Sequence, residues 1–436
     1  MSRSAGIEGE NRYMKDRPIR LGVSGAGWIG SGFVTQVERM PGMEVVALAD
    51  SSIDRACQVF QDLGYDRSTI AVVETRHGAM EAIEKGKKVV TESLSLLSEI
   101  DWVDVVVDAT SSPFSGATVA YYGIRNGKIV VLVNIEADAT VGRALRRLAE
   151  KEGVLYTVSS GDEPGCLMEL FQFVQALRFE PIVLGKGKNN PLDPHATPDT
   201  VREHALKQKK DPFQVASYVD GTKTMFEMCC CANATGFVPA TRGMFGPRAE
   251  LDTVSQVFAL QEDGGLTPFP GIVDFVQSQS MAGGVFVVVR VDHERIWEDL
   301  EYLKVGKGKY FTFFRPYHLW FLEAPLSVLR ACRYREPTLV PLDRPVAEVI
   351  AVAKKDLRVG EVLDDFGGFT FYGVLDRADV AHSLRALPAG IAPGAKVRRD
   401  LKKDSVITWD DVELEETLLL RLRLMQDEKD WGGDSS

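Results

Sequence analysis

Residues 20–30, Arg-Leu-Gly-Val-Ser-Gly-Ala-Gly-Trp-Ile-Gly, constrain this chain more than any other stretch, because an apolar strand-like run enters a glycine-rich turn that opens a helix. Gly25 permits the tight turn, Gly27 lets a ligand approach the backbone, and Gly30 lets the helix lie close on its strand. The unfilled N–H groups of the helix start, with Trp28 and Ile29 in the first turn, attract an anion. A second apolar run, Met43–Ala49, ends in Asp50, about 20 residues beyond Gly30, where an acid can hold a ribose hydroxyl. The pattern predicts a dinucleotide pyrophosphate site; the alternative is a glycine-rich turn of another α/β sheet. Asp50 repels a 2′-phosphate, whereas Ser51, Ser52 and Arg55 can bond to one. Arg55 has the alternative of a solvated helix position. NAD and NADP are therefore both candidate cofactors.

The chain has 436 residues, more than one hydrophobic core accommodates, so several domains are expected, and its 45 % hydrophobic content can fill them. A formal net charge of −11, with no basic arm or basic repeat to override it, argues against a nucleic-acid-binding surface. The six cysteines show no CxxC spacing, and Cys229, Cys230 and Cys231 are contiguous and poorly placed to share one metal. Buried, reduced thiols in a cytoplasmic protein are expected, with no membrane span. Residues 1–17 are polar and lack an apolar h-region, and residues 426–436 are charged and then rich in glycine and serine. Both read as flexible tails.

From 18 to 160 strand-like and helical runs alternate. Val103–Ala109, Ile129–Val133 and Val154–Val158 are apolar, with helical periodicity at Gly116–Arg125 and Thr140–Glu152. Continuous apolar strands separated by helices predict a Rossmann-type, doubly wound parallel α/β sheet. Thr110 and Ser111 follow a strand end, where such sheets line their ligand crevice, although the same residues also suit an ordinary turn. Prolines and longer polar loops mark a change of texture at 161–344. Helical stretches at Leu167–Leu177 and Lys223–Ala234 and a strand at Val285–Asp292 predict a central mixed α+β catalytic and oligomerisation domain, whose last helix packs back on the first domain. Residues 345–425 are turn-punctuated and predict a small β-rich module.

Several residues beyond the glycine turn suit chemistry on a small anion. Lys186-Gly-Lys188 with Asn189 and Asn190 reads as a flexible loop that cradles an anionic substrate or, alternatively, as a solvated basic turn. Asp220-Gly-Thr-Lys223 enters a helix. Lys223 either donates a proton or stabilises an oxyanion at the carbonyl that exchanges hydride, or it forms a surface pair with Glu227 while Asp220 caps the helix. Arg242 can fork onto a phosphate or carboxylate. Asn134 and Glu136 follow a central strand, so a carboxylate there lies near the nicotinamide end of the crevice; with Asp162 and Glu163 it offers oxygen ligands to a divalent cation. Capping and loop roles are the alternative for these acids. His318, in Arg315-Pro-Tyr-His318, is an acid or base or else a satisfied core histidine.

Taken together, the glycine turn, Asn134-Ile-Glu-Ala-Asp138, Gly161-Asp-Glu-Pro-Gly165, Gly185-Lys-Gly-Lys188, Tyr218-Val-Asp-Gly-Thr-Lys-Thr224, Ala232-Asn-Ala-Thr-Gly236 and Arg315-Pro-Tyr-His318 resemble a known group. It comprises homoserine-dehydrogenase-like NAD(P)-dependent oxidoreductases with a C-terminal SAF domain, among them the type II 1-deoxy-D-xylulose 5-phosphate reductoisomerase-like enzymes. Leu387-Pro-Ala-Gly390, Val397–Lys403 and Ile407–Val412 are similar to SAF modules. Homoserine dehydrogenases carry Thr-Ala-Asn-Lys after the strand that reaches the nicotinamide, and this chain has Val133-Asn-Ile-Glu136; where they have Asn-Gly-Thr it has Asp220-Gly-Thr222.

The resemblance implies catalytic roles among Lys186, Asp220, Lys223, Glu136 and His318. It implies substrate contacts from Lys188, Asn189, Glu163, Arg242 and Arg315, and a site for Mg or Mn among the carboxylates. The expected protein is a homodimeric or homotetrameric enzyme acting on a small anionic, oxygen-rich metabolite. Reductive isomerisation of deoxyxylulose phosphate leads the specific expectations, ahead of sugar-acid or polyol oxidation and homoserine oxidation. A nucleotide-sensing binding protein is the non-enzymatic alternative.

Overall fold

A computed structural model describes residues 17–432, so residues 1–16 and 433–436 of the two expected tails lie outside it. The chain forms two units. One comprises the residues up to Gly165 with Leu319–Val340, and the other comprises Cys166–His318 with everything from Pro341 onward.

The first unit is built on seven strands: β1 (Ile19–Ser24), β2 (Met43–Ala49), β3 (Ile70–Val72), β4 (Lys88–Thr91), β5 (Val105–Asp108), β6 (Ile129–Leu132) and β7 (Tyr156–Val158). They pair in the order β3-β4-β2-β1-β5-β6-β7, every pair parallel. This is the expected doubly wound sheet. Val105, Val106 and Val107 of β5, and Val130, Val131 and Leu132 of β6, are all fully buried, as strands covered on both faces require. The helices between strands start where the sequence supplies a cap. Ser52 caps Ile53–Asp62, Ser112 with Pro113 starts Pro113–Arg125, and Asn134 caps Ile135–Glu152, which ends on Gly153 at φ 70°. The returning segment adds the helix Ala324–Tyr334. Its Ala324, Val328, Ala331 and Cys332 join the same core as Phe33, Val34 and Val37 of the helix Trp28–Glu38, and Leu339 bridges to Val158.

The second unit centres on a six-stranded mixed sheet in the order β12-β13-β11-β8-β10-β9. The strands are β8 (Glu180–Lys188), β9 (Val238–Pro239), β10 (Ile272–Gln277), β11 (Val285–Arg290), β12 (Gly306–Lys307) and β13 (Tyr310–Arg315). Strand β8 runs parallel to β10 and antiparallel to β11. Residues from 341 onward belong to this unit. Antiparallel β14 (Ala347–Ala353) and β15 (Phe371–Arg377) pair along their whole length, and a two-stranded sheet of Lys396–Val397 and Val412–Glu413 follows.

The helix Thr222–Thr235 is bonded to this carboxy-terminal part near both ends. Thr222 Oγ1 accepts the Gly373 N–H at 2.9 Å, and Asn233 Oδ1 accepts those of Val346 and Ala347 at 3.0 and 3.2 Å. The expected carboxy-terminal tail is a correction. Residues Leu418–Trp431 form a helix in which Arg423, 5 % exposed, pairs with Glu348 at 2.7 Å and with Asp427, and Gln426 is buried. Polar composition concealed this, because the buried face, Leu419, Leu422, Arg423 and Gln426, is half polar and its cation is satisfied by Glu348, far away in the chain. No helix among the described residues is long and apolar enough to cross a membrane.

Candidate active site

In the first unit the order of strands reverses about β1, with β2 on one side and β5 on the other, which is where open parallel sheets bind ligands. The glycine turn sits at the end of β1. Gly25 has φ 95°, and a Cβ there would lie 2.9 Å from the Ala109 carbonyl oxygen; a Cβ on Gly30 would lie 1.9 Å from that of Gly25. Only glycine fits either position. Gly27 is exposed, with no atom within 4 Å of the space a Cβ would occupy, so the backbone there stands open to a ligand at the start of an 11-residue helix. These features fit a dinucleotide pyrophosphate. Trp28, 56 % exposed, packs edge-on against Trp320 with ring centroids 5.1 Å apart, while Ile29 is half-buried.

Asp50, at the end of β2, accepts the Ala26 N–H at 2.6 Å and the Ser52 N–H at 2.8 Å, and Arg55 pairs with it at 2.9 Å. The acid is thus partly neutralised by the residue that sequence reading set against it, and Ser51 next to it is exposed. Across the crevice Asp108 ends β5 fully buried. It accepts hydrogen bonds from Ser24 Oγ, from Thr110 Oγ1 at 3.0 Å and from Asn134 Nδ2 at 2.9 Å. Burial pushes its carboxyl up to about 6, against those three donors. Asp108 was missed in the sequence; the signal was an acid ending an otherwise apolar central strand. Thr110 and Asn134 thus serve this carboxylate, Asn134 also capping its helix, and Ser111 is exposed. Glu136, in the first turn of that helix, is 8 % exposed, and Asp162 and Glu163 are 8 % and 6 % exposed.

In the second unit the expected Lys186-Gly-Lys188 loop is a correction: these residues are the end of β8 and both lysines are buried. The glycines that suggested flexibility serve close packing instead. A Cβ on Gly185 would lie 2.3 Å from the Phe286 ring, and one on Gly187 would lie 1.8 Å from the Met281 carbonyl oxygen. Lys186 forms an ion pair with Glu227, whose side chain is 3 % exposed. The solvated setting expected for Lys223 and Glu227 is also corrected, because Glu227 is buried and Lys223 lies half-buried in the first turn of its helix. Lys188 Nζ donates to the Tyr218 carbonyl oxygen. Burial, reinforced by the neighbouring Lys186, lowers the Lys188 ammonium to about 8.

Asp220 does more than cap a helix. Its Oδ1 accepts the Thr222 N–H, and its Oδ2 accepts from Lys354 Nζ at 2.8 Å. Lys354 also donates to the carbonyls of Ala196 and Gly368, completing its three donors at almost zero exposure. Arg242 pairs through Nε with Asp376 at 2.6 Å. Arg315 lies at the end of β13, bonded to Glu169 at 3.1 Å and stacked over Tyr317. His318 Nδ1 lies 2.8 Å from the Gly283 carbonyl oxygen, which can only accept, so this nitrogen carries the proton. Asn189 is exposed next to Lys188. Lys188, Asn189, Asn190, Arg248, Glu250 and Ser278 are among the residues lining a cavity of about 500 Å³ at the carboxyl ends of the parallel strands β8 and β10.

Residues 25–159 match the family model described as homoserine dehydrogenase, NAD binding domain, and residues 161–324 match that described as oxidoreductase DRL, catalytic domain. The chain is an NAD(P)-dependent oxidoreductase. No curated protein matches this oxidoreductase. Among solved structures it is similar to a probable dehydrogenase from Thermotoga maritima, at 14 % identity over 73 % of this chain and 90 % of that one, with a TM-score of 0.42. It is similar also to biliverdin reductase from Synechocystis sp. PCC 6803 in complex with biliverdin and NADP+, at 15 % identity over 73 % and 92 %, with a TM-score of 0.37. A third is 1-deoxy-D-xylulose 5-phosphate reductoisomerase from Zymomonas mobilis in complex with NADPH, at 17 % identity over 48 % of this chain and 57 % of that one, with a TM-score of 0.35.

Proposed function

We propose that this oxidoreductase acts on a small, anionic, hydroxyl-rich metabolite taken up in the cavity at the ends of β8 and β10. The observation that carries the reading is Lys188. It is a cation only 6 % exposed whose one hydrogen bond among the described residues goes to a carbonyl, leaving donors for an anion, with no carboxylate of the described residues within ion-pair distance. A cavity of about 500 Å³ suits a metabolite rather than a polymer. When bound, the nicotinamide supplies or accepts hydride. The chain's own part is to hold the anion, to exclude water and to move a proton at the reacting oxygen, for which Lys223 is the donor. Two residues before Lys188 on the same strand, Lys186 is held by Glu227.

Within this class the preferred reaction is reductive isomerisation of a phosphorylated ketose such as 1-deoxy-D-xylulose 5-phosphate, and the carboxy-terminal part is read as SAF-like. Both readings rest on the motif resemblance. Nicotinamide absorbance followed with that phosphate, with homoserine and with a panel of sugar acids, each with and without Mg or Mn, tests the proposal. Turnover of a phosphorylated or carboxylated polyol is expected, and Lys223→Ala should lower kcat by about 10²-fold. Turnover confined to uncharged carbonyl compounds would overturn it.

A further inference from the structure

The same cavity has a second cation that the motifs did not point to. Arg248 is exposed, and among the described residues its guanidinium has no partner. Its backbone is nevertheless fixed. Asp274, fully buried in β10, accepts the N–H groups of Phe245 and Gly246 at 3.0 and 2.9 Å, and Gln277 bonds through its side chain to the Gly246 carbonyl and through its N–H to that of Pro247. Gly246 has φ 54°, and a Cβ there would lie 2.3 Å from the Phe275 ring, so the loop is locked against β10. Arg248 is bridged in parallel to Gln277, which is itself the register partner of Lys188. The three residues thus occupy one row at the end of the sheet, with the Cα atoms of Lys188 and Arg248 roughly 10 Å apart, two strand spacings.

We propose that Arg248 and Lys188 together bind the anionic group of the substrate, a phosphate or a carboxylate, and that Glu250 receives a hydroxyl of the same molecule. This rests on the reading above that the cavity takes substrate. Two cations held apart on a rigid frame lose little on binding, and an arginine without a carboxylate partner presents its planar fork to two oxygens of one anion. Glu250 Oε2 accepts the hydroxyls of Ser278, at 2.7 Å, and of Ser280, while Oε1 has no partner among the described residues. Those hydroxyl bonds, Ser280 first, hold the Glu250 carboxyl below its ordinary value, so it is ionised at neutral pH. A carboxylate on the rim repels a bare polyanion and favours a ligand whose charge is at one end and whose hydroxyls are at the other.

Calorimetric titration of the full-length protein with inorganic phosphate, glycerol 3-phosphate, glycerate and glycerol tests this. Glycerol 3-phosphate or glycerate should bind, the stronger of the two identifying the anion, and glycerol should not. Arg248→Gln should weaken that binding about ten-fold or more, with Arg248→Lys between. Glu250→Gln should remove the advantage of glycerol 3-phosphate over inorganic phosphate. NADPH binding should be unchanged in all three variants, which confirms that they fold. Unchanged affinity in Arg248→Gln, or no binding of any anion to the unaltered protein at millimolar concentration, would sink the inference. If Arg248→Gln is silent while phosphorylated polyols turn over, the inference fails and the substrate reading stands. If Arg248→Gln abolishes anion binding and no such compound turns over, the inference stands and the substrate reading fails.

Discussion

The two units hold their candidate ligand sites at the same kind of place, the carboxyl end of parallel strands, and build them from different materials. In the first unit the site is backbone: Gly25, Gly27 and Gly30 bring peptide N–H groups to an open surface. In the second it is side-chain charge taken out of water, in Lys186–Glu227, Asp220–Lys354 and Lys188 bonded to a carbonyl. A backbone site depends on a few residues next to each other in the chain. A site of buried charges depends on partners far apart in the chain, 41 positions for Lys186 and Glu227 and 134 for Asp220 and Lys354, and it fails when one partner is removed.

The largest effect should therefore fall in the second unit and on stability. Lys354→Met leaves the Asp220 carboxylate buried without its cation, while burial already pushes that carboxyl up. Denaturant unfolding should show a loss of about 3–5 kcal/mol, most of it recovered when Asp220 is also made apolar. A loss under 1 kcal/mol would mean that the pair is not what holds the turn before Lys223.

In the first unit, Gly30→Ala forces a Cβ onto the Gly25 carbonyl and should cost about 1–3 kcal/mol of stability. Gly27→Ala meets no atom within 4 Å, so the fold should tolerate it while NADPH affinity, read by fluorescence titration, falls. Equal unfolding in both variants would break the distinction between the glycine that packs and the glycine that faces ligand.

A smaller effect separates the two kinds of site by pH. Lys188 faces Lys186, Glu227 and Asp220, and burial holds its ammonium at about 8. Below that pH Nζ is charged; above it the charge is lost, so anion affinity should fall as pH rises through about 8, by about ten-fold in all. Lys188→Met should bind the anion weakly at every pH, whereas NADPH affinity should show no such step. The smallest effect concerns Arg55, half-exposed on Asp50. Arg55→Ala should shift the preference between NADH and NADPH by about 1 kcal/mol or less, toward NADH, in paired titrations.

These contrasts explain which parts of the molecule were legible. The parallel sheet was readable through β1, β2, β5, β6 and β7, because continuous apolar runs and Gly25-Ala-Gly27 act through neighbours in the chain; the short β3 and β4 were not, and the helices expected from Gly116 and Thr140 start earlier, at the caps Ser112 and Asn134. The Lys186-Gly-Lys188 segment misled, because Gly185 and Gly187 answer to Phe286 and Met281, residues that no local pattern connects to them. Arg242 resembled an anion hook, and its Nε is taken by Asp376, brought near only by β15.

By itself the sequence determined the parallel sheet, the pyrophosphate turn and the class of chemistry, because periodicity and glycine conformation are properties of adjacent residues. Only the tertiary structure decided which charges are neutralised. That depends on burial and on partners from distant strands: it gives Lys186 and Lys354 carboxylates and leaves the buried Lys188 bonded to a carbonyl.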